Sequence, residues 1–404
     1  MDRVYSDKQR ELLALWQKGG LRRLNLLEGS VRSGKTWISL VLWAFWVASM
    51  PKDGSFLMAA KTLTSLRRNC LELLETLVGP KHFRWSLSKK EGRLFGRAVF
   101  FEGASDARAE SKIRGMTLSG AYCDELSLFS EDFFSMLLSR LSAPGAKLIG
   151  TTNPDSPYHW LKEKYLNRAG ELDLLAVRFL IGDNAFLDPQ YVENLKKEYT
   201  GVFYERFILG EWVVASGLVY PDFDESRHVV RECPEGGRCY ISVDYGTMNP
   251  CSMGFWRIVE GKAYRVREFY HDGRKTGRQM TDEEYYGALV RLAGGEPVQY
   301  VVADPSAASF IECIRRHGEF SVKKADNRVL DGIRMTSSFL GAGRLLFGAE
   351  CKDSRKEFRS YRWDEKAAED RVVKENDHAM DDIRYFCSTV LRHEFRGDSW
   401  AVEK

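Results

Sequence analysis

A glycine-rich segment near the start of the chain has the spacing of a phosphate-binding loop. Residues 29–36 read GSVRSGKT, which fits the pattern G-x-x-x-x-G-K-[ST], and they separate an apolar run from an apolar helical pattern. In such a loop, backbone amides surround the phosphates and the dipole of the following helix favours their charge. The lysine neutralises the β- and γ-phosphates, and the hydroxyl of the last residue binds Mg²⁺. We predict a nucleotide site formed by Gly29, Ser30, Arg32, Ser33, Gly34, Lys35 and Thr36.

An acidic pair ends a later apolar segment, AYCDE at 121–125. A phosphate-binding loop needs acidic groups at the end of a neighbouring strand, to hold the Mg²⁺ shell and to activate the attacking water. We assign the metal role to Asp124 and the general-base role to Glu125, a pair that suits hydrolysis better than transfer to a small substrate. The alternative interpretation is an exposed acidic pair at the start of a helix.

A third polar motif, GTTNP at 150–154, ends the next apolar run. The side chains of Thr152 and Asn153, placed beside the phosphates, could sense the γ-phosphate and pass its loss to the following loop. The alternative is an ordinary Asn-Pro turn.

Strands and helices alternate in the first half of the chain. This order predicts an α/β domain with a mostly parallel sheet and helices on both faces. The predicted strands are 24–27, 56–60, 121–123, 148–151 and 174–179, and the predicted helices are 36–49, 64–77, 131–141, 160–168 and 189–199.

The pattern changes after residue 212. Residues 213–236 contain Gly, Pro and charges with little periodicity, so we predict a linker there. Beyond it, strands precede helices, which favours a mixed sheet. The predicted strands are 240–244, 253–259, 263–270, 298–304 and 345–347, and the predicted helices are 282–292, 306–316, 330–340 and 377–391. The sequence thus divides into domains at 1–212 and 237–404.

Composition restricts the cellular location more than the partners. The 404 residues include 60 Lys and Arg against 57 Asp and Glu, and a net charge of +3 does not exclude a local basic channel for nucleic acid. The longest apolar run, 37–50, is too short to span a bilayer, so we predict no membrane association. The first residues are charged and lack the apolar core of a secretion signal. The eight cysteines are widely spaced, which indicates reduced thiols in the cytoplasm.

These motifs, in this order, resemble the large terminase subunits of tailed bacteriophages, which package DNA into a procapsid. The resemblance covers nearly the whole chain: GEW at 210–212 and GLVYPDF at 217–223 are similar to the bridge between ATPase and nuclease domains, and KENDHAMDDIRY at 374–385 resembles the terminal signature. It implies a P-loop NTPase domain followed by an RNase H-like nuclease domain. It also implies double-stranded DNA, a small terminase subunit and a portal protein as partners, a homo-oligomeric ring when assembled, and the cytoplasm of the bacterial host as location.

The resemblance suggests two further nucleotide-site residues, Gln9 and Arg114, and a second role for Arg32. Gln9 matches the position of a glutamine that contacts adenine. Arg114, just before the acidic segment, matches the place where related motors carry an arginine finger that reaches a neighbouring subunit's nucleotide. Arg32 is a rival for that role and would act within its own subunit.

The same resemblance selects the nuclease residues. Two-metal cleavage of a phosphodiester needs converging carboxylates that hold two Mg²⁺ or Mn²⁺ ions about 4 Å apart. Asp244 and Asp304 end predicted strands, and Asp381 lies on the last helix. His378 shares a helix face with Asp381 and would be a further ligand or a proton-handling neighbour.

Two further acidic residues lie in this segment, Asp377 and Asp382. Asp377 is predicted to be the N-cap of the last helix. The family usually has a small residue where Asp382 stands, so Asp382 is interpreted as either an extra metal ligand or a solvated bystander. Residues 397–404 are interpreted as either a portal contact or a disordered end, and we favour the disordered end.

The predicted function is therefore a packaging motor that hydrolyses ATP to translocate double-stranded DNA and cuts concatemeric DNA with a metal-dependent nuclease. Its contacts with DNA are expected to be mainly to phosphates and independent of sequence. Two alternatives are a repair or recombination helicase with a nuclease domain, and a nucleotide-gated docking component without cleavage activity.

Overall fold

The structure is a computed structural model, and it describes residues 5–104, 109–246, 249–365, 367 and 369–395. The chain forms two compact units. The first contains Met1–Val192 and Tyr204–Val214, and the second contains Glu193–Phe203 and Ala215–Lys404.

The first unit is built on a sheet with eight strands among the described residues. Strands β1 to β8 are Leu24–Gly29, Ser55–Ala60, Phe83–Ser86, Glu91–Leu94, Arg97–Gly103, Gly120–Cys123, Lys147–Thr152 and Leu174–Phe179. Their order is β3-β4-β5-β2-β6-β7-β1-β8, and the six strands from β5 to β8 in this order are parallel. Strands β3 and β4 extend the sheet in antiparallel pairing. The carboxyl ends of the parallel strands therefore meet at one edge of the sheet.

Helices cover both faces of this sheet. Helices α1 to α7 are Asp7–Gln17, Lys35–Ser49, Leu63–Leu66, Glu72–Val78, Ala109–Ile113, Glu131–Arg140 and Trp160–Lys164, with a π-helical turn, Arg67–Leu71, between α3 and α4. Successive strand residues point to opposite faces: Leu27 packs in the core that includes α2, and Leu26 packs in the core that includes α6. Helices α8, Pro189–Glu198, and α9, Gly201–Phe207, each contain residues of both units.

The second unit is built on a mixed sheet. Strands β9 to β15 are Val229–Val230, Arg238–Asp244, Cys251–Val259, Lys262–His271, Val298–Ala303, Val322–Lys324 and Leu345–Gly348, in the order β14-β13-β10-β11-β12-β15-β9. The central hairpin is antiparallel, whereas β10 and β13 are parallel neighbours with Val243 opposite Ala303. This register brings the residues that follow β10 and β13 to the same edge of the sheet.

Helices α10 to α17 complete the second unit. They are Glu225–His228, Gly273–Thr276, Asp282–Ala293, Ala308–His317, Val329–Gly341, Lys352–Phe358, His378–Phe386 and Arg392–Glu394, with a second π-helical turn, Cys387–Leu391, after α16. Helices α12 and α13 enclose a core with the inner residues of β10, β11 and β13. Helix α16 packs on β10 and β11.

The observed sheets confirm the predicted α/β class, mostly parallel in the first half and mixed in the second. Strands β3, β4 and β14 and helix α15 were not predicted, because their segments are short and polar. Strand β5 was also missed, although its seven residues include the apolar run Ala98–Phe101. The predicted linker, 213–236, lies mainly in the second unit, where its strand β9 pairs with β15.

Three other sequence predictions concern membrane helices, cysteines and the C-terminal tail. No helix of the described residues is long and apolar enough to cross a bilayer. All eight cysteines are free. The predicted tail, residues 397–404, lies outside the described residues.

Candidate functional site

The loop between β1 and α2 depends on two glycines with unusual backbone geometry. Gly29 has φ +125°, and a Cβ there would lie 1.9 Å from the carbonyl oxygen of Phe179 on β8. Gly34 has φ +86° and is the N-cap of α2. A side chain at Gly29 would clash, and one at Gly34 would be strained, so the loop requires glycine at both positions.

The Lys35 side chain is buried and lies against the backbone of this loop. Its Nζ donates to the carbonyl oxygens of Gly29 (3.1 Å) and Ser30 (2.6 Å), to Ser33 Oγ (3.4 Å) and to Asn153 Oδ1 (3.0 Å). These acceptors are neutral oxygens. Burial lowers the pKa of Lys35 to about 7. The charges of nearby carboxylates act in the opposite direction, but they do not outweigh the burial. The loop thus holds a desolvated ammonium group that an anionic ligand would stabilise.

Two further observations fit a phosphate here. The buried Ser30 hydroxyl has no hydrogen-bond partner among the described residues. The N-cap residue, Gly34, provides no capping side chain for the first turn of α2, which contains Thr36. A helix N-terminus with uncapped amides is a favourable anion site. The residues present therefore fit the phosphates of a nucleotide.

Asp124 follows β6, with β7 lying between β6 and the loop strand β1. Its side chain is buried, and its Oδ1 accepts from Thr151 Oγ1 (2.8 Å) while its Oδ2 accepts from Asn69 Nδ2 (3.1 Å). Asn69 lies in the π-helical turn, a type of distortion that is common at functional sites. Asp124 is close enough to Lys35 for its charge to raise the lysine pKa. These contacts hold the carboxylate near the loop.

Glu125 has a left-handed backbone conformation, φ +56° and ψ +57°. This geometry is strained for a residue with a side chain, and such strain is often found at functional sites. Its amide donates to Thr151 Oγ1 (3.2 Å), so one threonine hydroxyl contacts both residues of the acidic pair. The charge of Glu125 also acts on Lys35.

The third motif lies between the acidic pair and the loop. Thr152 Oγ1 accepts from the Ser127 amide (3.1 Å), and Asn153 Oδ1 accepts from Lys35 Nζ. One end of the motif thus contacts the segment after the acidic pair, and the other contacts the loop lysine. The geometry brings together the three motifs singled out in the first half of the sequence.

Gln9 and Arg32 both make contacts through the backbone of the loop. The buried Gln9 amide donates from Nε2 to the Gly34 carbonyl (3.4 Å), while its Oε1 accepts from the Ser6 amide in the capping box of α1. Arg32 is exposed, with φ +56°, and its carbonyl accepts from Asn184 Nδ2 (2.7 Å). Asn184 is a loop contact that the sequence did not reveal.

Arg114 lies directly after α5, and its side chain is 61% exposed. Its Nη2 pairs with Glu110 Oε1 at 2.6 Å within the same turn of chain. Within this subunit it is therefore a surface residue.

In the second unit, the predicted nuclease residues converge on α16. Asp244, at the end of β10, accepts at Oδ2 from His378 Nδ1 (2.9 Å) at the start of α16. Asp304, directly after β13, accepts at Oδ2 from the Tyr385 hydroxyl (3.1 Å) of the same helix. One helix thus contacts both strand ends, which places Asp381, between these two contacts, in the same region.

Neighbouring cations and hydrogen bonds offset the negative charge of these carboxylates. Asp381 accepts at Oδ1 from Arg384 Nη2 (2.9 Å) and at Oδ2 from Lys374 Nζ (3.2 Å). Burial raises the pKa of Asp244 to about 7, and the charge of Asp381 adds to this, whereas the hydrogen bond from His378 opposes it. Burial disfavours the charged form of His378, but the hydrogen bond and charge of Asp244, together with the charges of Asp377 and Glu357, outweigh it and raise the histidine pKa.

The donor set fits divalent ions, since Mg²⁺ and Mn²⁺ prefer carboxylate oxygens. In the described part of the chain, no three ligand atoms of Asp244, Asp304, Asp381 and His378 lie within 4.8 Å of one another. The Lys374 side chain, 57% exposed, can move into solvent and free an oxygen of Asp381.

Asp382 is neither a solvated bystander nor free to be an extra ligand. It is fully buried, and its Oδ1 accepts from Ser242 Oγ (2.8 Å) while its Oδ2 accepts from Arg265 Nη2 (2.9 Å). Arg265 Nη1 and Ser252 Oγ also donate to it. Burial disfavours the charged guanidinium, but the charge and hydrogen bonds of Asp382 outweigh this and raise the Arg265 pKa. The pair is a structural ion pair beneath the site.

Replacing Asp382 with asparagine is expected to destabilise the second unit by about 3 kcal/mol, because it leaves a buried guanidinium without its main counter-charge. The measurement is the midpoint of thermal unfolding of the full chain. Glu312→Gln is the matched control, since it removes one carboxylate of an exposed pair with Arg315 and should change the midpoint little. An unchanged midpoint in Asp382→Asn would show that the ion pair is not needed for stability.

The N-terminus of α16 is held by a residue that the sequence did not reveal. Asp377 occupies the N-cap position as predicted, but its side chain makes no capping hydrogen bond. Instead the buried Glu357 of α15 accepts at Oε2 from the amides of Ala379 (2.7 Å) and Met380 (3.2 Å). Its Oε1 accepts from the Tyr270 hydroxyl (2.7 Å). Glu357 therefore fixes the helix turn that carries His378.

The comparisons with known proteins agree with this arrangement. The sequence family described as "Terminase large subunit, T4likevirus-type, N-terminal" matches residues 26–227. The structure is similar to the large terminase of a thermophilic bacteriophage, with 38% sequence identity, a TM-score of 0.91, and coverage of 96% of this chain and 100% of that chain. Structures of the same phage protein in complex with ADP and with ATP-γ-S have TM-scores of 0.89 and 0.88 at the same identity. They cover 96% of this chain, and 100% and 99% of theirs.

No curated protein sequence matches the chain. The family match spans half of the chain, and the similarity to the thermophilic phage protein extends over both units. The chain therefore belongs to the large terminase subunits of tailed bacteriophages, a family of DNA-packaging ATPases.

Proposed function

We propose that this protein hydrolyses ATP to drive double-stranded DNA into a procapsid, and that it cuts concatemeric DNA with a metal-dependent endonuclease. In this proposal, residues 1–212 form the ATPase domain, 213–236 the linker and 237–404 the nuclease domain. The observation that carries it is the buried Lys35 ammonium, bonded to loop carbonyls and Asn153 in a chain of the large terminase family.

ATP and Mg²⁺ would supply the reactive phosphoanhydride and the charge compensation at the first site. Lys35 holds the β- and γ-phosphates, with the loop amides and the Ser30 hydroxyl around them. Thr36 and Asp124 hold the Mg²⁺ shell, and Glu125 accepts a proton from the attacking water. Gln9, which donates to the Gly34 carbonyl at the end of the loop, would contact the adenine. Loss of the γ-phosphate is sensed through Asn153, whose Oδ1 accepts a hydrogen bond from the same Lys35 ammonium that would hold the phosphate.

Two divalent ions would activate water and stabilise the leaving oxygen at the second site. Asp244, Asp304 and Asp381 hold them, and His378 is a further ligand or accepts a proton. Tyr385 and Arg384 orient the carboxylates of Asp304 and Asp381 through the hydrogen bonds already described. The exposed Lys374, which now pairs with Asp381, would be free to contact a DNA phosphate if a metal ion took its place at that carboxylate.

The proposed packaging function implies several binding partners. They are double-stranded DNA, bound mainly through its phosphates, a small terminase subunit, a portal protein, and further copies of this chain in a ring. The proposed location is the cytoplasm of the bacterial host. Isolated subunits are proposed to be monomeric until the ring assembles.

Packaging itself is the direct test. The purified protein, procapsids and linear DNA should give ATP-dependent accumulation of DNA that is protected from added nuclease. The same preparation should nick supercoiled plasmid in Mn²⁺. Plasmid nicking without any nucleotide-dependent protection would instead favour a nuclease that acts outside packaging.

Replacing Arg114 with alanine tests the arginine finger. If it acts across a subunit interface, ATPase activity of the assembled motor should fall by about 10³-fold, while nucleotide binding by the isolated subunit stays the same. The measurements are steady-state hydrolysis by the assembled motor and fluorescent-nucleotide binding by the subunit. Mixing Arg114→Ala with Lys35→Ala should restore some turnover at shared interfaces. If no mixture restores it, Arg32 becomes the candidate.

A further inference from the structure

A group of metal-ligating side chains lies outside both proposed sites. Cys313 and His317 are four residues apart on α13 and so share one helix face. Glu283, in the first turn of α12, faces them. One ligand atom from each of the three residues lies within 4.8 Å of the other two, and Glu283 Oε2 is 2.7 Å from His317 Nε2.

The surrounding contacts hold two of these side chains in place. The His317 ring stacks on Tyr286 of α12, with ring centroids 3.8 Å apart and an interplanar angle of 7°. The Tyr286 hydroxyl donates to Glu319 (2.9 Å). Cys313 is buried in the core that α12 and α13 share. The imidazole and the thiol therefore lose little conformational freedom when they bind a ligand.

The donor chemistry selects the metal. A thiolate, an imidazole nitrogen and one carboxylate are a typical ligand set for Zn²⁺, and the soft sulfur disfavours Mg²⁺ and Ca²⁺. We propose that Glu283, Cys313 and His317 form a Zn²⁺ site that links α12 to α13, with water as the fourth ligand. The cysteine thiol releases its proton to solvent as the metal binds.

The site needs only a small rearrangement. Zn–O and Zn–N bonds at the tetrahedral angle place these two ligand atoms about 3.3–3.5 Å apart, so the Glu283 oxygen, now 2.7 Å from His317 Nε2, must move away by about 0.6–0.8 Å. The Glu283 side chain is 60% exposed and can make this change. The guanidinium of Arg316 lies 3.5 Å from Glu283 and would compete with the metal, but its side chain is 65% exposed and can turn into solvent.

Cobalt provides a test that separates this site from the carboxylate sites. Titration of the full chain with Co²⁺, in excess Mg²⁺, should produce the near-ultraviolet band of a thiolate bound to cobalt, and Zn²⁺ should abolish it. Cys313→Ser should remove the band. Asp244→Asn and Cys233→Ser should retain it, because the first alters only the nuclease carboxylates and the second removes a different, partly exposed thiol. Absence of the band in the unmodified protein overturns the proposal.

A second pair of variants decides the question if Cys313→Ser does not fold, since that residue is buried. Glu283→Gln and His317→Gln change exposed ligands and should each weaken Zn²⁺ binding by at least about tenfold. Glu312→Gln on the outer face of α13 is the control and should bind normally. Unchanged Zn²⁺ affinity in both ligand variants would also overturn the proposal.

Discussion

Replacing Lys35 with alanine is expected to lower the rate of ATP hydrolysis by at least about 10²–10³-fold, while leaving Mn²⁺-dependent DNA nicking unchanged. The lysine is the buried cation of the phosphate loop, and its four acceptors are all groups of the first unit. The proposed nuclease residues belong to the second unit, so their contacts do not involve Lys35. The variant therefore separates the two activities. Both rates are measured on the same preparation of the full chain.

Lys147→Ala is the matched control for this variant. Lys147 is also a partly buried lysine that donates to backbone carbonyls, those of Leu21 (3.1 Å) and Arg22 (3.3 Å). It begins β7, whereas Asn153 follows the end of that strand, so it lies at the opposite edge of the sheet from the loop. Its removal should leave ATP hydrolysis nearly normal. Equal loss of ATPase and nicking in a folded Lys35→Ala protein would contradict two separate sites.

The second large effect is expected at Asp304. Asp304→Asn should lower plasmid nicking by at least about 100-fold, because one negative ligand of the metal pair is lost. ATP hydrolysis should stay unchanged. Asparagine keeps the size of the side chain, and its oxygen can still accept from the Ser306 amide, now 2.8 Å from Asp304 Oδ1. The midpoint of thermal unfolding without metal should therefore change little.

The effect of metal on stability shows whether Asp304 acts as a metal ligand or only contributes to packing. Mn²⁺ should raise the unfolding midpoint of the unmodified protein more than that of Asp304→Asn, because binding to the folded state stabilises it. Asp331→Asn is the control, since it alters a partly exposed aspartate of α14 that pairs with Arg328. Nicking at the normal rate by Asp304→Asn would remove this residue from the nuclease site.

Local chemistry explains what could be predicted from the sequence. The loop pattern at 29–36 constrains backbone conformation and side-chain type over eight neighbouring residues, so it identifies its own strand and helix. The ends of β6, β10 and β13 were predictable for a similar reason, because short apolar runs followed by Asp are a local signal. Within each sheet, the parallel strands then bring such ends to the same edge.

The supporting contacts could not be predicted because they join residues that are distant in the chain. Asn69 binds Asp124 across 55 positions, and Asn184 binds the Arg32 carbonyl across 152. Neither asparagine interrupts a pattern or belongs to a motif. Glu357 is similar: its segment is polar and gives no sign that its carboxylate is buried and caps another helix. The burial of Asp382 depends on Arg265, which the sequence places within an ordinary strand.

The capping of α16 by Glu357 has a consequence for the order in which the activities arise during synthesis. Domains that lie earlier in a chain fold first on the ribosome. The strands of the first sheet end at Phe179, whereas α16 begins at His378 and receives its cap from α15 and indirectly from β12. A nascent chain therefore completes the ATPase sheet about two hundred residues before it can assemble the proposed nuclease carboxylates. Under the proposed function, the capacity to cut DNA is thus acquired last, after the motor domain has formed.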